Sequence, residues 1–287
     1  MNALQEKQFE MLKVFIGICE KHNLDYFLVG GSTLGAVRHK GFIPWDDDID
    51  VGMVREQYDK FIQVAPKELE GTKFFLQTWR SDPNFVYPFA KIRNNETTYV
   101  ENFFANHQIN HGVWIDILPI DGLTDKDIPK EKCKPRLRRY IFHIFMAYLP
   151  GFLRKFHKRT FFKDLFFGFV GLLFYPLNIA HFHQRRLEKM ARQYPLDKAT
   201  LAGNHLYFFT GKVKGLPPKI YLETTDAEFE GIKVKIQKDY DTYLKCLYGD
   251  YMKLPPEKDR EGHHYNTGFS LEMGWKEYLY GKKKKKK

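Results

Sequence analysis

The chain has 287 residues, is 16% aromatic with 26 Phe, and carries 46 Lys and Arg against 35 Asp and Glu, a net charge of +11. That length can bury a full core, and the aromatic content excludes a disordered chain. Six of the positive charges are the terminal lysines Lys282 to Lys287, so the remaining excess is modest; it argues only weakly for nucleic acid, which is not the expected partner, and the basic tail suits an anionic membrane surface at least as well.

In chain order, residues 4–21 place Leu4, Met11, Leu12, Phe15, Ile16, Ile18 and Cys19 at spacings of three and four, which predicts an amphipathic helix covering a sheet. Gln5, Glu6, Lys7 and Glu10 interrupt its apolar residues, so it is not a secretory signal. A strand is expected over Tyr26 to Val29, a short helix over Thr33 to Arg38, a strand over Ile49 to Met53, and a helix from Arg55 to Val64 that ends before Pro66. This alternation is α/β in character. Phe74 to Trp79 reads as a strand, and Phe89 to Arg93 with Thr97 to Val100 as a hairpin around Asn94-Asn95. The apolar run Gly112 to Pro119 encloses Asp116, and Asp121 reads as a turn residue before Gly122.

From about residue 125 to 205 the composition changes. Residues 130–163 hold eleven Lys and Arg against one acid, Glu131, and residues 140–182 hold eleven Phe. Leu165 to Ala180 is nearly all apolar, but is shorter than the roughly 20 residues of a spanning helix. A helical insertion lying in the membrane interface is expected, the other reading being a helical subdomain on the protein's own core. Leu206 to Thr210 reads as a strand, Ile232, Val234 and Ile236 as another after the Glu230-Gly231 turn, and Asp239 to Leu247 as a helix stopped by Gly249. Pro255 and Pro256 hold an extended segment from which Lys253 can reach an anion, unless the segment only caps the fold. His263 and His264, adjacent in an extended segment, point apart and imply no metal site. These features divide the chain into a catalytic domain (1–125 and 205–275), an insertion (126–204) and a basic tail (276–287). The three scattered cysteines, Cys19, Cys133 and Cys246, form no Cys-x-x-Cys pair and are expected to be reduced, buried thiols in a cytoplasmic protein.

The chemistry concentrates between Val29 and Val51. Strand alternation sends Asp48 and Asp50 to one face and Ile49 and Val51 to the core. Like charges held that close repel, and a hard divalent cation, Mg²⁺ or Mn²⁺, resolves the repulsion while sharing phosphate oxygens. The N–H groups of Gly31 and Ser32, leading into a short helix, are expected to face such phosphates. Asp116, a lone carboxylate in an apolar strand, is either a hydrogen-bonded core residue or a third carboxylate of the site. Lys91 and Arg93 share one side of their strand, at a solvated edge or at the site.

Gly30-Gly31-Ser32, then Leu34-Gly35-Ala36-Val37-Arg38-His39, then Ile43-Pro44-Trp45-Asp46-Asp47-Asp48-Ile49-Asp50-Val51-Gly52 resembles the signature of the LicD family. So do Ala90-Lys91-Ile92-Arg93 and Tyr248-Gly249-Asp250-Tyr251-Met252-Lys253-Leu254-Pro255-Pro256. The resemblance covers about residues 24–121 and 229–264. It implies a nucleotidyltransferase-type fold, a mixed β-sheet with helices, here carrying the Phe-rich insertion. The implied activity is transfer of phosphocholine or a similar phospho-alcohol from a CDP-activated donor, CDP-choline or a related CDP-alcohol, to a glycan. Fukutin-related protein belongs to the same superfamily. On this view Asp46, Asp48 and Asp50 hold the metal, and Asp116 takes the proton of the attacking hydroxyl. Gly30, Gly31, Ser32, Arg38, Lys91, Arg93 and Lys253 bind the donor. Trp45 and Trp114 either contact the quaternary ammonium or are core residues. The acceptor would be a lipid-linked glycan, a teichoic-acid or lipopolysaccharide precursor, and the enzyme peripheral on the inner face of the membrane. Two other readings remain: nucleotidyl transfer to a small molecule or RNA, and a catalytically inactive membrane-bound scaffold.

Overall fold

The computed structural model describes residues 1–105, 107–123, 179–204, 215–262 and 264–281. Helix α1 (Ala3–Lys21) opens on a capping box, in which Asn2 accepts the Gln5 N–H and Gln5 accepts the Asn2 N–H, each at 2.9 Å. Its Met11, Leu12, Phe15 and Cys19 are buried in the main core with Ile49, Val51, Ile115 and Ile117. Each such side chain contributes about 1.5–3 kcal/mol of burial, which fixes the inward face of the strands.

The chain continues through β1 (Phe27–Leu28), α2 (Gly30–His39), β2 (Asp50–Val54), α3 (Arg55–Glu68), β3 (Phe74–Gln77), β4 (Ala90–Asn94), β5 (Thr98–Glu101) and β6 (Val113–Leu123). Helix α4 (Ile179–Ala191) and strand β7 (Leu201–Gly203) follow. The central sheet has the order β1-β2-β6-β4-β3, with β7 paired to the far end of β6. Among the described residues only β2 and β6 run parallel in it; the other pairs are antiparallel. The α/β class expected from the sequence is therefore the observed one. After α5 (Lys219–Leu222) the hairpin β8 (Thr224–Phe229) and β9 (Ile232–Gln237) turns at Glu230 and Gly231, with φ of 48° and 79°. Helix α6 (Tyr240–Tyr248) is capped by Asp239 and ends at Gly249 with φ 66°. Strand β10 (Asn266–Ser270) pairs with β5, and α7 (Trp275–Tyr280) follows.

Several expectations change. Helix α2 begins at Gly30, ahead of the expected Thr33. Helix α3 runs through Pro66 to Glu68; the proline stands in its last turn, so the break it imposes falls at the end of the helix. The strands flanking Asn94-Asn95 are not a hairpin: β4 pairs with β3 and β6, whereas β5 leaves the sheet to pair with β10. Asp121 is a buried strand residue, bound by Arg55 through two contacts of 2.6 Å. Residues 201–203, expected in the insertion, add a strand to the central sheet. Cys19 is buried as expected, but Cys246 is exposed. Cys133, most of the Phe-rich stretch, the strand expected over Leu206 to Thr210, His263 and the lysine tail lie outside the described residues.

Candidate active site

The site begins with the alternation of β2. Ile49 and Val51 are fully buried, and Asp48 and Asp50 face the opposite way, onto a cavity. The preceding loop brings the carboxylates of Asp46, Asp47 and Asp48 within 4.8 Å of one another. Helix α1 holds that loop from behind. The buried Gln5 amide donates to the Ile43 and Asp46 carbonyls at 3.3 and 3.0 Å, and Gln8 donates to Asp47 at 2.7 Å. On the other side, Ser32 accepts the Asp50 N–H at 2.9 Å, so its hydroxyl fixes the start of β2. Gly30 has φ 56°, a left-handed conformation that favours glycine. A Cβ on Gly31 would lie 2.8 Å from Asp46 Oδ2, so the acid loop packs directly on the first turn of α2.

Register then builds a polar row across the sheet. Asp50 pairs with Asp116 on β6, Asp116 with Lys91 on β4, and Lys91 with Gln77 on β3. Lys91 Nζ is 2.9 Å from Asp116 and 4.0 Å from Glu101. Arg93 bonds Glu101 at 3.2 Å, Gln77 at 2.7 Å and the Gly112 carbonyl at 2.8 Å. The two cations lie 4.3 and 4.9 Å from the Trp114 ring. Lys91, Arg93 and Trp114 are only 1%, 0% and 1% exposed. Lys91 and Arg93, expected at donor phosphates, instead face internal acceptors, since burial in the sheet interior demands a partner for every charge. Trp114, expected as a choline contact, is enclosed by Lys91, Arg93, Tyr99 and His264. Trp45 does line the cavity, with Arg260 at 5.7 Å from its ring.

His264, left without a role by the sequence, closes the site from the C-terminal side. Its N–H donates to Asp47 Oδ2 at 2.9 Å, and its Nδ1 lies 3.0 Å from Asp47 Oδ1 and 3.8 Å from Asp48. Asp47 is thereby a clip for the segment around His264, which leaves Asp46, Asp48 and Asp50 as the carboxylates of this stretch that face the cavity; Asp250 and Asp259 also line it. Burial, then the charges of Asp48 and Asp47, push Asp46 up to about 8. Burial likewise raises Asp48, against the pull of His264. Burial also raises Asp116, although Lys91 opposes it. For His264 burial works downward, but the Asp47 hydrogen bond and the Asp48 charge prevail and lift it to about 9. The oxygen-only donor set of Asp46, Asp48 and Asp50, with Asp46 and Asp48 both raised by burial and by neighbouring carboxylates, fits a hard divalent cation.

The cavity has a volume of about 1070 Å³ among the described residues. Gly30, Gly31 and Arg38 border it on one side, and Lys253, Pro255 and Pro256 on another. Arg38 donates to the Tyr251 carbonyl at 2.7 Å and so ties the Gly30–His39 helix to the Tyr248–Pro256 block. Two motifs distant in the chain thus line one cavity.

A mixed sheet presenting carboxylates on neighbouring strands, beside a glycine turn that opens a helix, defines a nucleotidyltransferase-type domain. The family described as LicD/FKTN/FKRP, nucleotidyltransferase domain, matches residues 23–151. The chain is similar to lipopolysaccharide cholinephosphotransferase LicD of Haemophilus influenzae, 30% identical over 279 residues that cover 94% of this chain and 98% of that one. It is also similar to ribitol 5-phosphate transferase FKRP of Mus musculus and Homo sapiens, 27% and 26% identical over 147 residues, which cover 51% of this chain and 29% of those proteins. The chain belongs to the LicD family and is a transferase of that type. Among the described residues no helix is long and apolar enough to cross a membrane.

Proposed function

We propose that the enzyme transfers phosphocholine, or a similar phospho-alcohol, from a CDP-activated donor to a hydroxyl of a cell-surface glycan precursor of the lipopolysaccharide or teichoic-acid kind. One observation carries this reading: Asp46, Asp48 and Asp50 face a single cavity beside the Gly30-Gly31 turn, with Asp116 in register with Asp50. The relatives transfer phosphocholine or ribitol phosphate by their names, which supports the same reaction class.

Asp46, Asp48 and Asp50 would hold Mg²⁺ or Mn²⁺, which when bound supplies positive charge against the donor diphosphate. Gly31, at the first turn of α2, and Lys253 receive the phosphates, while Arg38 joins the α2 and Tyr248–Pro256 segments; the Ser32 N–H, expected at the phosphates, is instead bonded to the Val29 carbonyl at 3.1 Å, as the Gly30 N–H is to Tyr243. Asp116, raised by burial, accepts the proton of the acceptor hydroxyl. That oxygen forms a bond to the phosphorus bearing the alcohol, the bond from this phosphorus to the bridging oxygen breaks, and CMP leaves with the electron pair. Lys91 steadies the charge of Asp116 from within the sheet. Peripheral attachment to the inner membrane face rests on the basic, Phe-rich composition of residues 130–182 and on a lipid-linked acceptor.

The test is CMP release from CDP-choline, CDP-ribitol, CDP-glycerol and CDP-ethanolamine, with Mg²⁺ and with chelator. Metal-dependent release from one donor is expected. Release from none, with folded protein and a candidate acceptor supplied, removes the reading.

A further inference from the structure

Tyr248 has no part in the reaction as described, yet it faces the same cavity. It is the last residue of α6, just before the left-handed Gly249, and is 45% exposed. Neighbouring tyrosines have committed hydroxyls: Tyr243 accepts the Gly30 N–H at 2.9 Å, and Tyr251 donates to Asp241 at 2.9 Å. The Tyr248 hydroxyl has no hydrogen-bond partner among the described residues.

We infer that Tyr248, on the wall it shares with Asp46, Asp48, Asp50 and Arg38, donates its hydroxyl hydrogen bond to a phosphate oxygen of a bound nucleoside diphosphate. The inference rests on the donor reading above and names a further substrate-binding group. Its logic is one of supply and demand for protons. A tyrosine hydroxyl ordinarily titrates at about 10, so at neutral pH it is protonated and enters a complex as a donor. Carboxylates that ligate a cation have their lone pairs engaged by it, and Arg38 offers only donors. A diphosphate is the group that brings acceptor oxygens to this corner. Tyr243, anchored on Gly30 one helical turn and a half earlier, fixes α6 against the glycine turn and so sets the position of Tyr248.

The experiment titrates CDP with Mg²⁺ into wild type, Tyr248→Phe and Tyr248→Ala by calorimetry, with circular dichroism as the check on folding. Tyr248→Phe keeps the ring and loses only the hydroxyl. It should weaken CDP binding roughly ten- to hundredfold, the range of a hydrogen bond to a charged group, and slow CMP release from the productive CDP-alcohol. Wild-type affinity in Tyr248→Phe, with loss only in Tyr248→Ala, would overturn the hydroxyl and leave the ring as a stacking or ammonium-binding surface. If CDP binds, Tyr248→Phe weakens it, and yet no CDP-alcohol yields CMP, the Tyr248 assignment stands and the proposed reaction falls. Wild type that binds no CDP overturns both.

Discussion

Replacing Lys91 by Met separates a counter-charge inside the sheet from a donor-binding lysine at its surface. Met keeps most of the aliphatic stem against Trp114 but leaves Asp116 and Glu101 without a cation that stands at 2.9 and 4.0 Å. At an effective dielectric of about 20, the 2.9 Å pair alone is worth about 6 kcal/mol before desolvation of the ammonium is subtracted. Removal of one partner from a buried pair leaves a net loss of about 3–5 kcal/mol. Part of this loss depends on pH. Burial already raises Asp116, and without Lys91 nothing comparable opposes it, so its folded value rises further above the unfolded one. A carboxylate raised in the folded state weakens folding as pH climbs from its unfolded value, about 4, through its folded value. The variant should therefore be most destabilised at pH 8 and regain stability toward pH 5. Urea unfolding at the two pH values, with chelator present, measures this. A loss below about 1 kcal/mol at pH 8, together with selectively weakened CDP binding, would refute the internal role and restore Lys91 to the donor.

Asp50→Asn should abolish CMP release and also the rise in melting temperature that Mg²⁺ gives wild type, since the cation stabilises only the fold that binds it; an undiminished Mg²⁺ shift in that variant would remove Asp50 from the metal site. Gly31→Ala should keep or slightly raise stability, because alanine favours a helix by about 0.5–1 kcal/mol. Its Cβ, 2.8 Å from Asp46 Oδ2, displaces a metal-facing carboxylate, so turnover should fall by about tenfold or more, as steady-state kinetics beside thermal melts can establish. Gln8→Leu leaves the Asp47 carbonyl without its 2.7 Å donor; chemical denaturation should report a loss of about 1–3 kcal/mol, and an unchanged midpoint would mean the loop is held elsewhere.

The parts of the site that local pattern governs were legible. Period-two alternation was enough to put Asp48 and Asp50 opposite Ile49 and Val51, and Gly249 marked the end of α6. Sharing of one face by Lys91 and Arg93 was legible too, but not what that face meets. Its partners are Asp116, in register only because β6 lies between β2 and β4, and Glu101, on a strand that leaves the sheet. Asn94-Asn95 has turn chemistry, yet a turn does not oblige its flanking strands to pair. Asp121 looked like a turn residue because its partner Arg55 lies 66 positions away. Gln5 and Gln8 look like the solvated side of a helix; their burial follows from carbonyls in a loop some 40 residues on that need donors. His264 had a visible signal, a histidine near the end of the resembling block, but its meaning depends on Asp47, 217 positions earlier.

The central claim is that a phospho-alcohol, and not a nucleotide, moves at the carboxylate cavity. CDP-choline labelled separately in its cytidine and choline parts, incubated with enzyme, Mg²⁺ and a lipopolysaccharide or teichoic-acid precursor, tests it most directly. The account predicts choline label on the glycan and cytidine label in free CMP in equal amounts, with neither in chelator or in Asp50→Asn. Cytidine label on the acceptor, or choline transfer that survives chelator and Asp50→Asn alike, would contradict it.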